Sequence, residues 1–152
     1  MTTLTVGAGL QFGSIAQAVA ASRDGDVILI AAGTYTNDFV QINDSVTLRA
    51  VDGMATIQAT VPPSNLKGIV TVGDGGHAPN VVLDGLVLAG ATIAAKYGNN
   101  AAGIRYQNGT LTLDNDIVRN NQDGLLATPA VTNQGTIIVN ASTFVANGAG
   151  DG

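Results

Sequence analysis

The chain has no cysteine, no tryptophan and no glutamate; all eleven of its acidic residues are aspartate. Without cysteine there is neither a disulfide framework nor a thiolate metal site. Only 11% of the residues are charged, against roughly 25% in an average soluble domain, so the charged outer faces of a helical bundle are missing. The six basic residues, Arg23, Arg49, Lys67, Lys96, Arg105 and Arg119, are spread along a chain of net charge −5. A phosphate-backbone binder needs clustered cations, and nucleic acid is therefore excluded as a partner. No apolar run approaches the ~20 residues of a membrane-spanning helix, which excludes a membrane partner of that kind. Met1-Thr2-Thr3-Leu4-Thr5 carries neither the basic start nor the apolar stretch of a signal peptide. Aromatic residues make up 4%, too few for an extended sugar-stacking platform.

Glycine, asparagine, threonine and aliphatic residues fill the space, and they recur in a pattern. Val81-Val82-Leu83-Asp84-Gly85-Leu86-Val87-Leu88, Leu111-Thr112-Leu113-Asp114-Asn115-Asp116-Ile117-Val118 and Ile137-Ile138-Val139-Asn140-Ala141-Ser142-Thr143-Phe144 are three versions of one unit. Each is an alternating strand that ends on Asp or Asn, with an apolar residue four positions later. Aligning Leu83, Leu113 and Val139 gives spacings of 30 and 26 residues. Such self-similarity marks a solenoid, in which one repeat cannot bury its apolar face alone. Alternation points Val81, Leu83, Leu111, Leu113, Ile137 and Val139 inward and Val82, Thr112 and Ile138 outward. Asp84, Asp114 and Asn140 then form one column at the strand ends, and Asn121 and Asn147 form a second, suited to an amide ladder.

Residues 13–22 read as one helix with Ser14 as N-cap and Ile15, Ala18, Val19 and Ser22 on one face. Strands follow at 26–30, 39–42, 45–50 and 55–59, with Gly33-Thr34-Tyr35 as a turn, and Val61-Pro62-Pro63-Ser64-Asn65 is a loop. Later coils open on Gly68-Ile69, Gly103-Ile104 and Gly124-Leu125. A stretch of nine extra residues, 91–99, is expected to protrude as a loop or short helix, on the face where solenoids bind. The 152 residues fit one domain, with cap and first coils in 1–60 and further coils in 61–152. Asp151-Gly152 matches Asp123-Gly124, the opening of a coil. Uncovered strand edges there lead to an expectation of a homodimer through the open coil end, or of a fragment of a longer protein.

Phe12-Gly13-Ser14-Ile15-Ala16-Gln17-Ala18-Val19, Gly25-Asp26-Val27-Ile28-Leu29-Ile30, Gly33-Thr34-Tyr35, Ser45-Val46-Thr47-Leu48 and Ala55-Thr56-Ile57 together resemble the N-terminal cap and first coils of the pectate-lyase-like superfamily. With the later repeats the likeness covers nearly the whole chain. It implies an all-β, right-handed parallel β-helix with a capping helix at 13–22. It also implies a polysaccharide partner and an extracellular or bacterial cell-surface location. The superfamily holds lyases, hydrolases, esterases, tailspikes and non-enzymatic proteins, so fold does not assign activity. The Asn-Thr-Asp, Asp-Asp, Gly-His-Gly and Arg-Ile-Lys motifs of polygalacturonase-like enzymes do not occur here. Gln122-Asp123-Gly124-Leu125 resembles the Gln-Asp-Thr-Leu of pectin methylesterases, in which the Gln helps hold an oxyanion and the Asp acts as acid. Gly124 replaces the Thr, the partner motifs are missing, and a coil opening explains the same residues.

Candidate chemistry falls into three sets. Asp84, Asp114 and Asp116 stack carboxylates roughly 4.8 Å apart, a spacing that calls for a cation, a proton or backbone partners. As a metal site they would take Ca²⁺; the alternative is that they bond turn amides. Arg105, Arg119 and Lys96 are the catalytic candidates for β-elimination from a uronate, with Tyr97, Tyr106 and Asp123 as substrate contacts; the alternative is a few solubilising charges. His77, in Gly73-Asp74-Gly75-Gly76-His77, lacks the second ligand of a metal site. The expected function is a β-helix module binding an acidic extracellular polysaccharide, without evident catalysis. The alternatives are a Ca²⁺-dependent polyuronate lyase and a self-assembling scaffold. A lyase needs Arg105 and Asp114 on one face. An outward patch of Val70 and Leu126 would favour a protein interface instead.

Overall fold

The computed structural model describes residues 1–128 and 135–148. In chain order the elements are β1 (Thr3–Val6), α1 (Ile15–Ala21), β2 (Val27–Thr36), β3 (Val40–Ile42), β4 (Thr47–Gln58), β5 (Gly68–Val72), β6 (Asn80–Asp84) and β7 (Leu86–Ala89). A 3₁₀ turn (Ala95–Tyr97) precedes β8 (Ala102–Tyr106), β9 (Thr110–Asp114), β10 (Ile117–Arg119), β11 (Asp123–Ala127), β12 (Thr136–Asn140) and β13 (Thr143–Val145). Every strand pair is parallel, and each strand pairs with its counterpart one coil away, so the chain is a parallel β-helix.

Three faces run the length of the helix. The first carries β1, the first half of β2, the first half of β4, then β6, β9 and β12. The second carries the later halves of β2 and β4, then β7, β10 and β13. The third carries β3, β5, β8 and β11. In-register pairing turns the alternating apolar residues into columns. Leu4, Ile28, Leu48, Leu83, Leu113 and Val139 stack on the first face. Tyr35, Ile57, Leu88, Val118 and Phe144 stack on the second, and Val40, Val70, Ile104 and Leu125 on the third. Most of these side chains are fully buried, each worth about 1.5–3 kcal/mol, so the core is a stack of thin aliphatic layers.

α1 seals the N-terminal end by burying Ile15, Ala18 and Val19. It is shorter than the expected 13–22, because Ser14 and Ser22 are its caps: the Ser14 side chain accepts from the Gln17 N–H at 3.2 Å, and the Ser22 hydroxyl donates to the Val19 carbonyl at 2.8 Å. Both carboxylate oxygens of Asp38 accept first-turn amides, from Ile15 at 2.6 Å and Ala16 at 2.9 Å.

Two strands run through positions expected to be turns. β2 continues across Gly33-Thr34-Tyr35 with a register shift between Ala31 and Gly33, where the Tyr35 hydroxyl donates to the Ala31 carbonyl at 2.8 Å. β4 likewise joins the two strands expected at 45–50 and 55–59, bending at Asp52 and Gly53, both with positive φ. Val139 keeps its inward register, yet it is 49% exposed, since among the described residues no further rung lies over it. Asp151-Gly152, where end-to-end association was expected, lies outside the described residues.

Later corners each turn on one left-handed residue. Gly85, Asn115 and Ala141, with φ of 76°, 57° and 45°, occupy one corner of successive coils; Gly90, Asn120 and Ala146, with φ of 87°, 55° and 52°, occupy the next. A Cβ in this region costs about 1 kcal/mol, which Gly avoids and Asn partly offsets. Ala141→Gly and Ala146→Gly should therefore each raise stability by about 0.5–1 kcal/mol in urea unfolding. A lower midpoint in both variants would mean that these corners do not hold the left-handed turn.

Candidate functional site

Twelve residues separate β7 from β8, whereas three separate β10 from β11. The additional length is the expected insertion, and the corner one coil further on fastens both of its legs. The Asn121 Oδ1 accepts the Ala91 N–H at 2.8 Å, and the Gln122 N–H donates to the Ala91 carbonyl at 2.9 Å. The Gln122 side chain, 8% exposed, reaches across the gap. Its Oε1 accepts from Ile93 N at 2.8 Å and from Ala101 N at 3.1 Å, and its Nε2 donates to the Ile93 carbonyl at 2.8 Å. The Asp123 N–H completes the returning leg on the Ala101 carbonyl at 3.0 Å. Ala91 and Ile93 are buried with the core, so only the tip protrudes. There the Lys96 ammonium lies 4.8 Å from the Tyr97 ring centroid, and Tyr97 is 51% exposed.

Two more cations border this corner, and a third lies further along β8. Arg119 pairs with Ala89, the residue after which the insertion leaves. The Lys67 carbonyl accepts the Ala102 N–H at 2.8 Å where the insertion returns. Arg105 projects from β8 on the third face, one position before the end of that strand and three residues beyond the corner. Its Nε is buried without a partner among the described residues; burial lowers the guanidinium pKa and the Asp123 carboxylate opposes that shift. Cations that are dispersed in sequence are thus gathered by coiling, and Lys67 and Gln122 join a site in which sequence reasoning had not placed them. A nine-residue excess with no apolar periodicity was the available signal, because it needs tying down.

Tyr106 is not a surface residue. It lies in the core at 3% exposure, with its hydroxyl donating to the Gly109 carbonyl at 2.6 Å, which removes it from any sugar-contacting set. Val70 is fully buried as well, so no outward patch forms with Leu126.

The acidic residues divide into two environments. Arg49, Asp84, Asp114 and Asn140 stand in register on the first face. The Arg49 Nε donates to Asp84 Oδ2 at 2.8 Å, and the Asn140 Nδ2 donates to Asp114 Oδ1 at 2.8 Å, so each carboxylate has its own donor. Asp116 instead points inward at the corner, in the position that Leu86 occupies one coil earlier, and is 1% exposed. Its Oδ1 accepts the Leu86 N–H at 2.7 Å, while its buried Oδ2 has no partner among the described residues. The three aspartates do not fit a common calcium site, because among the described residues no group of three or more His, Cys, Asp or Glu side chains converges to hold a metal. Arg105 is on the third face and Asp114 on the first, so the set imagined for a lyase is not assembled on one surface.

His77 pairs its Nδ1 with the Asp74 carboxylate at 2.8 Å in an exposed turn. The Gly76 N–H, followed by the His77 side chain, holds the Asp74 carboxyl below its usual pKa. A polar cleft of about 250 Å³ adjoins it, lined by Asp24, Asn43, Asp44 and Ser45. A larger groove of about 600 Å³ runs beside the cap, past Ser14, Thr34, Tyr35 and Asp38. None of the residues lining either cavity is a lysine or arginine.

No family model matches this chain, and no curated protein matches it. Its architecture is similar to the crystal structure of the pectin methylesterase from Aspergillus niger, with a TM-score of 0.67 at 19% identity. The match takes in 93% of this chain and 49% of that one, so the chain spans about half the length of that structure. The likeness shows the fold, a right-handed parallel β-helix. No helix among the described residues is long and apolar enough to cross a membrane.

Burial, and secondarily the charges of Asp84 and Asp114, push the Asp116 carboxyl up to about 7, against the lowering effect of the Leu86 N–H. The unfolded chain releases this proton near the ordinary aspartate value of 3.8. A raised carboxyl pKa favours the folded state below the unfolded pKa, and that advantage is lost as pH rises through the folded one. Urea unfolding should show stability falling by about 2–3 kcal/mol between pH 5 and pH 8, and Asp116→Asn should flatten that slope. A wild-type slope that survives the substitution would place its origin elsewhere.

Proposed function

We propose that this chain is a β-helix module that binds an acidic extracellular polysaccharide at the corner carrying the insertion. The observation that carries the reading is that Lys67, Lys96 and Arg119, three of the six cations, border the corner whose tip exposes Tyr97, in a chain of net charge −5. A polyuronate presents one carboxylate per sugar ring along a stiff strand. Lysine and arginine side chains match that spacing of charge, and an exposed phenol offers its face to a ring. The β-helix likeness to an enzyme named for pectin supports this ligand class.

Each exposed ion pair contributes only about 0–1 kcal/mol, so affinity comes from several contacts acting together and falls with salt. Catalysis is not part of the proposal. Acid–base chemistry on a uronate needs a base, a charge-neutralising group and the substrate within one reach, and the carboxylate column and Arg105 occupy different faces.

Binding to polygalacturonate should be measurable by isothermal titration and should weaken steeply from low to high ionic strength. Lys96→Ala and Arg119→Ala should each cost about threefold in affinity, while Arg23→Ala at the cap leaves it unchanged. Equal binding of a neutral polysaccharide, or a loss as large in Arg23→Ala, would reject the acidic-ligand reading.

A further inference from the structure

We infer that Gln122 is the positioning residue of this site: its buried amide locks the insertion into the conformation that presents Lys96 and Tyr97. The inference rests on reading the corner as the polysaccharide site. Gln122 belongs to the coil after the one that carries the insertion, and among the described residues it is the single side chain that bonds both legs. Its Oε1 holds one amide on each leg, Ile93 N and Ala101 N, and its Nε2 returns a hydrogen bond to the Ile93 carbonyl. Between those anchor points Ala94, Ala95, Lys96, Tyr97 and Gly98 are exposed, so the tip has little packing of its own.

An unanchored tip would have to be ordered each time ligand binds, and that entropic cost would be subtracted from the affinity. Three hydrogen bonds from an immobile amide at the base order the tip in advance. The chemistry requires both halves of the amide. A carboxylate in its place keeps the acceptor for the two N–H groups, but it loses the donor and turns a second oxygen toward the Ile93 carbonyl. The same geometry gives this Gln-Asp pair a use different from that of the motif it resembles. Oε1 and one N–H of Nε2 are committed to backbone and the side chain is 8% exposed, so Gln122 is held as a brace at the base of the loop.

The test reads the loop and the ligand separately, in the full chain, using Gln122→Ala and the equal-sized Gln122→Glu. Trypsin cleavage after Lys96 reports tip mobility, with cleavage after Lys67 as internal reference and circular dichroism to confirm folding. Gln122→Ala should accelerate cleavage after Lys96 about tenfold relative to that reference. It should weaken polygalacturonate binding about threefold to tenfold. In a Tyr97→Ala background, Gln122→Ala should cost little further affinity, since it acts through the tip already disabled; a purely structural role would instead add its full effect. If Gln122→Ala does not fold, Gln122→Glu is read in the same way. Unchanged cleavage after Lys96, or additive losses of affinity, would overturn the inference. Absence of polygalacturonate binding by the wild type would sink the polysaccharide reading, and with it the positioning role, even if the cleavage rate confirmed the clamp.

Discussion

Backbone amides at the corners are the constraint on which this β-helix depends. Along each face the strands satisfy one another from rung to rung, but at a corner the chain turns and the ladder is interrupted. A buried N–H left without an acceptor costs about 1–3 kcal/mol, and a solenoid repeats that risk in every coil. Side chains from the next coil answer it. Asn121 Oδ1 accepts from Ala91 N and Asn147 Oδ1 from Asn121 N, while the Nδ2 groups of both return to the Leu88 and Val118 carbonyls. At the other corner Asp116 Oδ1 accepts from Leu86 N, and the Ser142 hydroxyl oxygen accepts from Asp116 N. Register follows from these ladders as much as from the aliphatic columns: a one-residue slip would break every corner acceptor and also turn the apolar residues outward.

Asp116 shows the cost of assigning a carboxyl to that duty. Serine does the same work one coil later without a charge, and Asn121 and Asn147 do it on the neighbouring corner with neutral amides. Asp116 has two oxygens and one donor among the described residues, and two further aspartates stand within electrostatic reach. It remains compatible with the core by retaining its proton into the neutral range. The outward pair, Asp84 and Asp114, faces the opposite situation. Water and the donors Arg49 and Asn140 stabilise their charges, so stacking one rung apart is tolerated.

The repeats made the architecture legible because period and alternation are properties of neighbouring residues. The inward column through Leu83 and Leu113, the Asn121–Asn147 ladder and the Ser14 cap could all be read that way. Other features depend on matters outside a local window. Tyr106 is not one of them: it lies two residues after the inward Ile104, so alternation alone places it on the core side, beside the outward Arg105. Asp116 and Asp114 are two residues apart, but the left-handed Asn115 between them turns the chain, so one faces solvent and the other the core. The cations are scattered only when positions are counted along the chain. Lys67, Lys96 and Arg119 span more than fifty residues and border one corner because coiling brings the start of β5, the insertion and the end of β10 to it.

On the proposed reading, stacking and binding fall to different parts of the molecule. Rungs must repeat, so their side chains are held to the shapes that stacking permits, and a ligand site made of rung residues alone would be flat and monotonous. A corner can lengthen without disturbing either neighbouring rung, provided the two legs of the added loop are tied together where they leave. The corner ladder already projects one polar side chain per coil toward the coil before it. Extending that ladder by one residue, from Asn121 to Gln122, is enough to hold such a loop. The device that stabilises the solenoid thus also supplies the means of placing a distinct, charged and aromatic element on its surface.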